Sequence, residues 1–145
     1  MTKEELKYNL NIAPFRKGTA LGIGFIATIS NSYFLIANPN TFNIILSLVV
    51  ALLTIIVYCK TKAQNKLNDI IIKEHELKGI KDISQIAVIR GAAELQTLIF
   101  LFNISKHKNA FGVLLTILSA AVAVYSFSKI TDNIKHNTHI IDQIR

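Results

Sequence analysis

Residues 42–59, FNIILSLVVALLTIIVYC, form a run of 18 residues with no charge, no Gly and no Pro. As an α-helix such a run is about 27 Å long, close to the hydrocarbon thickness of a bilayer. A helix bathed in water normally shows a polar face. This one shows none, so acyl chains or other helices must surround it. Working outward, the uncharged region reaches back to residue 18: between Gly18 and Cys59 there is no Lys, Arg, Asp, Glu or His. Residues 18–37 give a second helix of about 30 Å by the same rise per residue. Residues 110–128 are a third uncharged stretch of this kind. The first is too long for a secretory h-region and ends in Leu35-Ile36-Ala37-Asn38, a poor cleavage site, so it reads as retained.

Composition agrees. The 145 residues are 51% hydrophobic and only 17% charged, with mean hydropathy +0.41. Soluble domains of this length keep a larger charged fraction.

Between the first two stretches lies Asn38-Pro39-Asn40-Thr41. Pro removes a donor and fixes φ, and Asn tolerates turn geometry. A connection this short makes the flanking helices antiparallel neighbours. A second hairpin follows from an internal repeat, NTFNIILSLVVALLTIIVYCK at 40–60 against NAFGVLLTILSAAVAVYSFSK at 109–129. Without a gap, Asn40 matches Asn109, Phe42 matches Phe111, Leu46 matches Leu115, Ala51 matches Ala120 and Lys60 matches Lys129. The helices before them also start alike, Lys17-Gly18-Thr19-Ala20 against Arg90-Gly91-Ala92-Ala93. Repeats of this kind set the architecture. The expected fold is therefore all-α: an integral membrane bundle of four transmembrane helices in two tandem hairpins. One unit covers residues 1–79, with spans at about 18–37 and 42–59. The other covers 80–145, with spans at about 84–104 and 110–128. The span at 84–104 is the weakest, because it carries Arg90, Glu94 and Gln96; Asp82 or Ser84 would cap its start.

Lys and Arg set the expected orientation. Lys3, Lys7, Arg16 and Lys17 precede the first span, Lys60, Lys62, Lys66, Lys73, Lys78 and Lys81 lie between the hairpins, and Lys129, Lys135 and Arg145 follow the last. The turn at residues 38–41 has none; Lys106 and Lys108 in the other turn are the exception. The positive-inside rule then puts both termini in the cytoplasm, in a bacterial cytoplasmic (inner) membrane. With an even number of spans the repeat is parallel, about an axis along the membrane normal. The basic segments look amphipathic. Thr2-Lys3-Glu4-Glu5 fits a capping box ahead of Leu6 and Leu10. Ala63, Leu67, Ile70, Ile71 and Leu77 make a stripe that ends near Gly79, a fitting C-cap. Ile130, Ile134, Ile141 and Ile144 make another. Such helices either lie on an anionic leaflet or extend the membrane helices and pack together. The net charge of +7 is explained by topology, and no nucleic-acid partner is expected.

Candidate sites are few. Gly18 and Gly22 form a GxxxG, and Ser47 with Ala51 and Thr116 with Ala120 place small residues one turn apart, the spacing that lets membrane helices approach. They serve to join the two hairpins or two copies of the chain. Ser30, Asn31, Ser32 and Tyr33 make the end of the first span polar, for interhelical hydrogen bonds or a small cavity. Arg90 and Glu94, four apart, are the candidate intramembrane ion pair. Asp132, His136 and His139 offer too few ligands for a metal, and His75 reads as part of a solvated face. Cys59 is the single cysteine, a small residue at a helix end. No catalytic motif is present, and neither enzyme activity nor a cofactor is expected.

The partners expected are the lipid bilayer and either further copies of the chain or other membrane proteins. The leading expectation is a non-enzymatic assembly or interaction subunit of a membrane complex, of the kind found in secretion machinery or among membrane immunity proteins. An oligomeric channel or small transporter is the alternative. A membrane-shaping role comes next: hairpins each followed by an amphipathic helix resemble the layout of reticulon-type curvature proteins, in architecture and without a shared motif.

Overall fold

The computed structural model describes residues 1–106 and 109–144. Lys108 and Arg145, two of the cations counted above, lie outside the described residues. Four helices, each long and apolar enough to cross a membrane, account for nearly all of the chain: α1 (Lys3–Ala37), α2 (Thr41–Glu74), α3 (Ser84–Lys106) and α4 (Ala110–Asp142). In the most apolar window of each helix only 6 to 17% of the residues are buried. Large side chains stand outward instead, among them Leu48, Leu52, Leu53 and Ile55 on α2 and Val124, Tyr125 and Phe127 on α4. Water would not tolerate that much contiguous apolar surface, and the pattern is that of a membrane protein.

Local chemistry explains the helix ends. The capping box at Thr2 forms, with Thr2 Oγ1 accepting from Glu5 N and Glu5 Oε2 from Thr2 N. Asn40 caps α2 through Asn43 N, and Asn109 caps α4 through Phe111 N. Asp82 Oδ1 accepts from Ser84 N at the start of α3. The arm ahead of the first span is continuous with it, through a π-helical segment at Tyr8–Ile12. Pro14 follows that segment; it has no N–H to give Leu10 O, and a widened turn is one way a helix passes such a position.

The amphipathic segments are not separate helices. α2 runs unbroken for 34 residues, and α4 for 33. At 1.5 Å per residue each is about 50 Å long, roughly 20 Å more than a bilayer's hydrocarbon needs. α2 ends at Glu74, before the expected cap: Glu76 already has φ 51° and Gly79, at φ 83°, belongs to the loop beyond.

α1 packs on α2, α3 packs on α4, and α1 packs on α3, so the helices lie side by side in the order α2, α1, α3, α4. α1 and α3 run parallel: Gly18 faces Ser84 and Ala87, and Gly22 faces Val88 and Ala92. Their backbones touch. A Cβ added at Gly22 would overlap Val88 O, and one added at Gly91 would overlap Thr19 O. These contacts are reciprocal, since Gly91 and Val88 each lie 69 positions after Gly22 and Thr19. Gly18 faces Ala87, again 69 positions on. Asn40 and Asn109, both N-caps, have the same offset.

The side-chain core sits at the basic end. Leu6 and Leu10 of α1, Ile71 of α2, Leu77 of the loop and Ile141 of α4 form one buried cluster. Ile83, Ala87 and Ile130 form another, with Phe15, Ile86 and Ile134 against it. Both isoleucine stripes thus contribute to packing. The first turns of α1 wedge against the extension of α4, where Lys7 pairs with Asp142 at 3.0 Å and Lys3 Nζ donates to the Asp142 carbonyl.

Candidate functional site

Arg90 and Glu94 pair as their spacing implies. Arg90 Nε lies 2.6 Å from Glu94 Oε1, both on α3. Two aromatic rings complete the setting. The Arg90 guanidinium lies 5.0 Å from the Phe15 centroid on α1 and 4.7 Å from that of Phe127 on α4. A desolvated cation against ring faces gains about 2 kcal/mol, so Arg90 fastens three helices across the two hairpins. Among the described residues Arg90 Nη1 and Thr19 Oγ1 are buried without a hydrogen-bond partner. No group of three His, Cys, Asp or Glu among the described residues could hold a metal. His136 instead meets the Gly79 carbonyl at 3.0 Å.

The small residues do different jobs. Gly18 and Gly22 make the α1–α3 contact. Ser47 Oγ donates to the Asn31 carbonyl within the first hairpin. Thr116 is buried and its hydroxyl donates to its own helix, at Gly112 O. Ala51 and Ala120 are half-buried. The polar group near the end of α1 divides as well: Asn31 and Ser32 bond carbonyls of their own helix. Ser30 and Tyr33 border a groove of about 570 Å³ with Gln96 and Phe102, where α1 and α3 splay apart beyond the glycines.

Each hairpin also has a hydroxyl pair in its apolar part. Thr28 and Thr54 lie 3.1 Å apart, and Thr97 Oγ1 donates to Ser119 Oγ at 2.9 Å. The basic end holds a larger buried polar set. Asn137 is fully buried; its Nδ2 donates to Asn11 Oδ1 and to Lys81 O, and its Oδ1 accepts from Lys81 N. It therefore clamps the interhairpin loop onto α1 and α4. Buried Gln64 joins α2 to α1, donating to the Asn9 carbonyl in the π-helical segment and accepting from Lys17 Nζ at 2.6 Å. The sequence carries a signal for the clamp: Asn133 and Asn137 fall inside the stripe from Ile130 to Ile141, at helical spacing.

Not all of the α2 stripe is used. Ile71 is buried, but Leu67 is 41% exposed and Ile70 is 52% exposed, with Ala63 exposed beside them. Lys62, Lys66 and Lys73 flank them. This stripe lies past Lys60, beyond the uncharged stretch of the sequence.

A four-helix membrane protein with a packed basic end and an unpartnered stripe on α2 is the class these features define. Compared with family models, with curated proteins and with solved structures, the chain matches none.

Proposed function

We propose that the chain is a non-enzymatic subunit that docks a partner within a membrane complex, of the secretion-machinery or immunity type, with both termini and the basic end in the cytoplasm of a bacterial cell. The observation that carries this reading is the apolar stripe Ala63, Leu67 and Ile70, exposed on a helix that has already left the apolar band. A stripe exposed to water on a rigid helix is an anchor for a partner helix. Support against a conducting role comes from within one copy: α1 and α3 touch through backbone, and the Thr and Ser hydroxyls named above face their own hairpin partners. Two tandem hairpins in parallel orientation underlie the architecture, which the reciprocal contacts at an offset of 69 support. The wide lipid-facing surfaces of α2 and α4 leave room for copies of the chain or for a membrane partner.

Photo-crosslinking in the host membrane tests this. A photoreactive residue at Leu67 or Ile70 is expected to give one discrete protein adduct, and one at Lys135 on α4 none. The double substitution Leu67→Glu and Ile70→Glu should abolish copurification of that adduct's partner with the fold intact. Adducts to lipid alone at both stripe positions would refute the proposal.

A further inference from the structure

Between α1 and α2, at the edge of the uncharged stretch, is a cavity of about 360 Å³ whose lining includes Tyr8, Arg16, Lys17 and Lys60. Its apolar part is Ala13, Ala20 and Val57. Three cations from two helices thus share one recess, and no Asp or Glu borders it. Among the described residues neither Arg16 nor Lys60 has an acidic partner within 4.0 Å. Lys17 is held by a neutral acceptor, Gln64 Oε1, which fixes its position and leaves its charge uncompensated. A recess lined by charge of one sign favours an anion.

The recess straddles a boundary. Ala20 and Val57 belong to the uncharged residues 18–59, whereas Arg16, Lys17 and Lys60 are the first cations beyond either end of that stretch. In a bilayer this is the level of the lipid phosphates. The geometry points to a binding site for a phosphate group, supplied by the head of an anionic phospholipid whose acyl chains run down the groove past Ala20 and Val57. Arg16 offers planar donors suited to phosphate oxygens, and the lysines add point charges. Basic recesses between membrane helices take anionic headgroups elsewhere.

The test uses the full chain reconstituted in nanodiscs of phosphatidylcholine with a minor fraction of phosphatidylglycerol, followed by counting the lipids that stay bound after transfer to detergent. The chain should retain phosphatidylglycerol over phosphatidylcholine by about tenfold or more, given the gain per cation near an anionic surface. Arg16→Gln with Lys60→Gln should erase the preference. Both side chains are exposed, so this variant still folds. Lys73→Gln with Lys135→Gln removes the same charge elsewhere and should keep the preference. An equal loss in both double variants would overturn the site, because net charge alone would then explain retention. So would equal retention of the two lipids by the unaltered chain. Displacement of phosphatidylglycerol by millimolar inorganic phosphate, dependent on Arg16 and Lys60, would overturn the lipid as the source and assign free phosphate.

Discussion

The two ends of the bundle are held together by opposite means. At the basic end, side chains do the joining: Leu6, Leu10, Ile71 and Ile141 interlock, and Asn137 ties the loop down. In the apolar part, the α1–α3 contact is backbone on backbone at Gly18, Gly22 and Gly91, and large aliphatic side chains point away. The solvent explains the inversion. Water drives apolar side chains together. Acyl chains are as apolar as leucine, so burying leucine among helices gains little there, and association falls to close packing and hydrogen bonds. One helix such as α2 therefore obeys two rules along its length, with Leu52 and Leu53 outward near its middle and Ile71 inward near its end.

The crossing at Gly22 is where the comparison breaks most severely. Gly22→Leu puts its side chain against the Val88 carbonyl and the Ala92 amide, backbone atoms that cannot turn aside. Overpacking costs about 1–3 kcal/mol where side chains yield, and this site should exceed that range in reversible unfolding from mixed micelles. Gly91→Leu, which meets Thr19 from the other side, should match it. Gly112→Ala is the mild contrast, because among the described residues its Cβ would meet the flexible Ile104 side chain alone, at 3.3 Å.

Truncating aliphatic side chains at the two ends comes next. Ile141 is 0% exposed and Leu53 is 57% exposed. Ile141→Ala should cost about 2–5 kcal/mol, the range for fully buried aliphatics. Leu53→Ala should stay within about 0.5 kcal/mol, as expected where nothing packs. Both are read by the same unfolding measurement. Equal costs would mean that α2 has protein rather than lipid on its outer face at Leu53.

How much of this the sequence carries differs between the ends in the same way. The hairpins and the Arg90–Glu94 pair were legible because charge, length and spacing decide them locally, whereas Asn40 and Asn109 read only as turn and repeat positions and their capping bonds come from the fold. GxxxG at Gly18 pointed to close packing, but only the fold decides between joining two hairpins and joining two copies. The isoleucine stripes announced packing without a partner. Asn137 and Gln64 were missed because a polar residue on a basic, exposed-looking segment reads as surface; its burial depends on a loop from elsewhere in the chain. Phe15 and Phe127 were missed likewise, since stacking on Arg90 brings together residues far apart in sequence.

The smallest effect sharpens the account of the apolar part. Thr28 meets Thr54, and Thr97, 69 positions on from Thr28, meets Ser119. Val keeps the shape of Thr and removes the hydroxyl. The hydroxyl left behind is not orphaned, because Thr54 and Ser119 accept in these pairs and give their own protons to Val50 O at 2.9 Å and Thr116 O at 3.1 Å. Thr28→Val and Thr97→Val should therefore each cost about 0.6 kcal/mol, the average for such bonds between membrane helices, and the two should add, since they lie in different hairpins. Unfolding of the two single variants and the double variant measures this. A cost above about 2 kcal/mol at either site would exceed the strongest bonds of this type and would make hydroxyl pairing, rather than glycine contact, the main tie in the apolar part.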